Sequence, residues 1–129
     1  MSTKPRANGE LATDTRAKLK RNPIVSTLKA GAVVGIVDSP EAARKALRLP
    51  AGVVDFLEWR ADCLGDAMPH GKFPWIVTAR HPSEGGKNAM SSAARRDALF
   101  KLLPKASIVD IEVRSVVSLR PVVRQAKES

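Results

Sequence analysis

Six ionisable residues stand at matching places in three apolar segments of this chain. Glu58 and Arg60 lie in "VVDFLEWRA" (53–61). Arg80 ends "PWIVTAR" (74–80) and leads through "HPSEGG" to Glu84. Asp110 and Glu112 lie in "SIVDIEV" (107–113). If the segments are strands, alternation puts Glu58 and Arg60 on one face, and Asp110 and Glu112 likewise. Charges inside a fold are costly unless paired or used, so three repeats of the pattern point to an internal polar site. Arginines there would anchor an anion, and carboxylates would orient it or move protons. The cluster holds four carboxylates against two guanidiniums. Mutual repulsion should raise the pKa of some of those carboxyls, and an anionic substrate would need further cations from outside the cluster.

The elements that must position these residues alternate along the chain. "AVVGIV" (32–37) is a short β-branched run that stops at Asp38-Ser39-Pro40. Ser39 can cap a helix, Pro40 suits its first turn and Glu41 suits its dipole, so "EAARKALRL" reads as a helix ending before Pro50. Residues 91–103 form a second helix, capped by Ser91 or Ser92, with Ala94, Leu99, Leu102 and Leu103 available for a buried stripe. "SVVSLRPVVRQAKE" is the last helix, which Pro121 should kink or delay. The link "DCLGDAMPHGK" is too broken for a regular crossover helix and reads as a short helix or a loop. Near-continuous apolar strands alternating with helices indicate an α/β fold with a parallel sheet of about four β/α units. In such folds chemistry gathers at the C-terminal ends of strands.

Composition narrows the function further. The chain has 129 residues, and no apolar run approaches the ~20 residues a membrane helix requires. Its single cysteine, Cys63, has no internal partner and no activating base beside it, so a plain thiol and a cytoplasmic location are expected. Net charge is +9. Residues 1–22 carry six basic and two acidic side chains with no apolar period, so they read as a basic, disordered tail before a domain at 23–129. Arg44, Lys45, Arg48, Arg95, Arg96 and Lys101 fall on helix faces expected to be solvated. Aromatic residues are 4% and tyrosine is absent, which leaves no stacking platform for nucleic acid. No CxxC, HExxH, acidic triad or phosphate-loop pattern is present, so neither metal nor cofactor is expected. His70 is a loop histidine without a partner. His81 precedes Pro82 and reads as solvent-facing rather than as a base. Gly85-Gly86 reads as a turn with positive φ that folds Glu84 back over the strand end.

With "EWRAD" (58–62), "TARHPSEGG" (78–86) and "VDIEV" (109–113) in this order, the chain resembles the type I 3-dehydroquinate dehydratase family over about residues 30–127. The resemblance implies half of a TIM-type (β/α)8 barrel, which normally takes about 250 residues. It implies a lyase that converts 3-dehydroquinate to 3-dehydroshikimate in the shikimate pathway through a Schiff-base lysine. By the same resemblance Glu58, Arg60 and Arg80 bind substrate, while Glu84, Asp110 and Glu112 support them. Gly35 falls at the strand-one position where some members carry serine, and it has no hydroxyl to offer. The family's lysine and catalytic histidine lie on strands six and five, so no catalytic residue is assigned here. His81 and Lys87 match neither position. The expectation is therefore a truncated chain, inactive alone. The alternatives are one half of a split enzyme, pairing with itself or with a C-terminal half, and a non-enzymatic basic interaction module.

Overall fold

The structure, a computed structural model, describes residues 31–129, so the expectation for residues 1–22 lies outside the described residues. From Val33 onward the chain forms one unit. Strands β1 (Val34–Val37), β2 (Phe56–Arg60), β3 (Trp75–Thr78) and β4 (Ile108–Asp110) make a parallel sheet in sequential order. Helices α1 (Pro40–Ala46), α2 (Ala61–Leu64), α3 (Ser92–Leu102) and α4 (Arg120–Glu128) connect or follow them. The barrel expected from the family is not closed: among the described residues β1 and β4 are edges of the sheet.

Local chemistry accounts for the element boundaries. The Ser39 hydroxyl accepts from the Ala42 N–H at 3.1 Å, and Pro40 takes the first helical position of α1. Ser91 caps α3 by accepting from the Ala94 N–H at 3.1 Å. Pro121 lies in the first turn of α4, so the proline delays that helix rather than kinking it. A 3₁₀ turn (Val113–Ser115) occupies the chain before it. The link after β2 is the one-turn helix α2 followed by a loop. Its carbonyls are taken by Trp59 Nε1 (to Gly65, 2.8 Å), Trp75 Nε1 (to Pro69, 3.1 Å) and Lys105 Nζ (to Met68, 3.2 Å).

One face of the sheet builds the core. Leu57, Trp59, Trp75, Val77 and Ala79 pack with Ala46 of α1, Leu99 and Leu102 of α3, and Val122 of α4. Each fully buried leucine contributes about 1.5–3 kcal/mol. Trp59 and Trp75 meet edge to face with ring centres 5.8 Å apart. Gly35 faces this same layer. A Cβ there would lie 3.2 Å from Leu57 Cδ2, so the position cannot present a side chain to the opposite face. Ile36 is the β1 residue in register with Glu58.

The α3 stripe differs from expectation in one important residue. Arg95, Ala98, Leu99 and Leu102 are buried, whereas Ala94 is exposed. Arg95 was expected on a solvated face, yet only 1% of it is accessible. Its Nε donates to the Ala79 carbonyl (2.8 Å), and its Nη2 donates to Glu112 Oε2 (3.0 Å) and Ser115 Oγ (2.9 Å). A buried guanidinium is tolerable when a carboxylate and neutral acceptors surround it. Removing one side of such a pair leaves the other charge stranded. Arg95→Ala should therefore destabilise the chain by about 3–5 kcal/mol, and Arg96→Ala by no more than about 0.5 kcal/mol, both read from urea denaturation.

Candidate active site

The second face of the sheet carries the ionisable rows. Ile36, Glu58, Ile76 and Ile108 are aligned across the four strands. One step further along, Arg60, Thr78 and Asp110 form the next row. Strand alternation thus brings Glu58, Arg60 and Asp110 together, and Arg80 joins them just past β3. The Arg80 guanidinium lies 3.9 Å from Glu58 Oε1, with 35% of the arginine side chain and 14% of the glutamate side chain accessible. At that distance the pair is electrostatic and not a hydrogen bond. Among the described residues, Glu58 Oε1, Arg80 Nε and, away from this cluster, Arg95 Nη1 are buried atoms without a hydrogen-bond partner.

Glu58 has its pKa raised, first by burial and then by the charge of Asp110, while Arg80 and Arg60 oppose the rise. The direction expected from the cluster holds at this residue, but desolvation is the larger cause and repulsion the second.

Glu84 and Glu112 occupy places other than those expected. β4 ends at Asp110, and Glu112 begins the Val113–Ser115 turn. Its carboxylate accepts from Arg95, from the His81 N–H (2.9 Å) and, at 3.5 Å, from Ser115 Oγ. It therefore joins the loop after β3 to α3 instead of pairing with Asp110, which is exposed. Glu84 is exposed in a 3₁₀ turn (Pro82–Glu84) and faces Arg114 at 3.6 Å. The Gly85 φ of 88° gives the expected left-handed turn. What the two glycines fold back is backbone: the Gly86 N–H donates to the His81 carbonyl at 3.0 Å. His81 Nδ1 accepts from the Ser83 N–H at 3.0 Å, so the imidazole caps this turn.

Asp62 is not among the site residues expected from the sequence. Its side chain has no accessible surface. Arg60 grips it with Nε to Oδ1 (2.9 Å) and Nη2 to Oδ2 (2.6 Å). The Lys87 N–H donates to Oδ2 (2.9 Å) and the Arg80 N–H to Oδ1 (3.3 Å). Burial alone would raise this carboxyl. The Arg60 hydrogen bonds, then those of Lys87 and Arg80, outweigh it and hold the pKa at about 2, below its ordinary 3.8. The same pairing pushes Arg60 above its usual range. The Cys63 thiol is pushed up, by burial first and by Asp62 second, which keeps it protonated and inert. Period two carries no signal for Asp62, because β2 ends at Arg60 and Asp62 lies in α2.

Pairing changes the charge balance. Arg60 is matched by Asp62, Arg95 by Glu112 and Arg114 by Glu84. Glu58 and Asp110 are left with Arg80, so the cluster stays net acidic. A cleft of about 380 Å³ lies at the N-terminal ends of β3 and β4 beside His70, Lys72 and Lys105. Glu58, Arg60, Arg80 and Asp110 do not line this cleft.

A family model for type I 3-dehydroquinase matches residues 32–129. The chain belongs to that family. It is also similar to a solved structure, 3-dehydroquinate dehydratase from Enterococcus faecalis, with a TM-score of 0.61 and 20% identity. That likeness supports the fold and covers 75% of this chain and 49% of the other, so this chain spans about half the length of that relative. No curated protein matches it. Among the described residues no helix is long and apolar enough to cross a membrane.

Two outcomes are expected. The Asp62 pKa is lower in the folded chain than in the unfolded one. The associated stabilisation, about 2 kcal/mol, is complete above about pH 4 and is lost as pH falls towards 2. Urea midpoints measured across that window should fall, and the fall should be smaller in Asp62→Asn. Separately, a Cβ on Gly86 would sit 2.3 Å from the Arg80 carbonyl oxygen and 2.8 Å from that of His81. Gly86→Ala should cost about 2 kcal/mol or more, since backbone must move. Gly85→Ala, strained only by its φ, should cost about 1–2 kcal/mol by thermal denaturation.

Proposed function

We propose that residues 32–129 form the substrate-anchoring half of a 3-dehydroquinate dehydratase site. The observation that carries this reading is the unsatisfied pair at the strand end. Among the described residues Glu58 Oε1 and Arg80 Nε are buried without a hydrogen-bond partner, and Glu58 feels the charge of Asp110. Such atoms carry a desolvation cost that a polyhydroxylated carboxylate ligand would relieve. Arg80 offers charge-assisted N–H donors to the ligand's carboxylate. Glu58 and Asp110 accept from its hydroxyls, and the raised Glu58 pKa lets that carboxyl also serve as a donor when protonated. Glu84 and Glu112 act at a remove. Glu84 meets Arg114, and Glu112 fixes the backbone that follows Arg80.

The dehydration itself requires the family's Schiff-base lysine and histidine, and these belong to further β/α units. Those units also supply the cations that a net acidic wall lacks. Among the described residues β1 and β4 are unpaired edges, which supports closure by such units, whether from a second chain or from other residues. The reading places the reaction in the cytoplasm, with no metal or cofactor.

Borohydride treatment of the chain with 3-dehydroquinate, followed by mass spectrometry, tests the division of labour. The expected result is no reduced adduct, together with ligand-induced shifts in the Arg80 and Glu58 NMR signals that Arg80→Ala abolishes. A stable lysine adduct would overturn the proposal that the chemistry lies elsewhere. Absence of any shift at millimolar ligand would overturn the anchoring role.

A further inference from the structure

The buried carboxylate of Asp62 does more than satisfy itself. Besides a 3.7 Å contact from the neighbouring Cys63 thiol, it accepts four hydrogen bonds from three separate places: the end of β2 through Arg60, the second residue after β3 through the Arg80 N–H, and the far side of the following loop through the Lys87 N–H. A further bond runs from Asn88 Nδ2 to the Asp62 carbonyl at 2.9 Å. Both ends of the 80–88 loop are therefore fastened to one residue. The same contact uses Nε and Nη2 of Arg60, so that only Nη1 and the second Nη2 proton remain, pointing in a fixed direction. Their positive charge is largely cancelled by the carboxylate beside them.

We propose that Asp62 is the positioning residue of this half-site. It turns Arg60 from a mobile cation into an oriented donor, and it presets the loop that carries Arg80 before any ligand or closing unit arrives. Ordering a long arginine and a loop in advance removes a cost that binding would otherwise meet. It also separates the two arginines by role. Arg80 brings net charge to the site, and Arg60 brings direction. What the site binds rests on the function proposed above, but the placement by Asp62 does not.

The test is hydrogen exchange by ¹⁵N NMR on the full chain, without ligand. In the wild type the Arg60 Nε–H should exchange at least about tenfold more slowly than those of exposed Arg44 and Arg48, the effect of a charge-assisted bond. Asp62→Asn should bring Arg60 close to the rate of Arg44. It should also lower protection of the Arg80 and Lys87 amides about tenfold or more, while the Leu99 and Leu102 amides of α3 keep theirs. A wild-type Arg60 Nε–H that exchanges as fast as Arg44 overturns the proposal, and this comparison decides the matter alone if the variant does not fold. Unchanged Arg80 and Lys87 protection in a folded variant also overturns it, as does a uniform loss across all amides. Because no ligand is used, failure of 3-dehydroquinate to bind would overturn the functional reading and leave this result standing.

Discussion

A carboxylate with no accessible surface holds the C-terminal strand ends of this sheet together. A lone buried charge would cost several kcal/mol. Asp62 avoids that cost by collecting an arginine fork and two backbone N–H groups, and in doing so it draws β2, β3 and the loop after β3 to a common point. The constraint works in both directions. The loop can close tightly only because Gly86 lets backbone approach backbone. The Arg60 fork, and after it the Lys87 N–H that the loop delivers, keeps the carboxylate ionised.

A second buried pair repeats the logic on the neighbouring side. Arg95 reaches from α3 through the core to Ala79, Glu112 and Ser115, so the end of β3 and the turn after β4 share one guanidinium. Between these two anchors stand Glu58, Arg80 and Asp110, which the fold leaves without full partners. Two buried ion pairs thus flank this group, although Arg95 Nη1 is itself buried without a hydrogen-bond partner among the described residues. This is the division expected where supporting contacts fix a site and the site's own groups wait for a ligand. It also explains why the wall is net acidic although the chain as a whole is strongly basic: the other guanidiniums near the strand ends are already spent on carboxylates.

The alternation of apolar runs and helical stretches was legible along the chain because it follows from local rules. Ser39, Pro40, Ser91 and Pro121 set helix starts through groups within one turn. Glu58, Arg60 and Asp110 were placed on one face by period two, and the motifs around them carried the family resemblance. Glu112 was misplaced because β4 ends sooner than its hydrophobic pattern, so alternation stopped applying at Asp110. Glu84 was misplaced because the glycine turn folds backbone rather than side chain over the strand end.

By itself, then, the amino-acid order determined a parallel α/β unit with an ionisable cluster at its strand ends, since strand period, capping and turn chemistry act between residues close in sequence. Only the tertiary structure decided which charges are spent and which are free. Arg95 reads as a surface cation until a carboxylate 17 residues away meets it. Asp62 reads as a loop residue until an amide 25 residues away reaches it. Partners so distant along the chain leave no periodic trace, because the energy that selects them comes from burial in the folded chain.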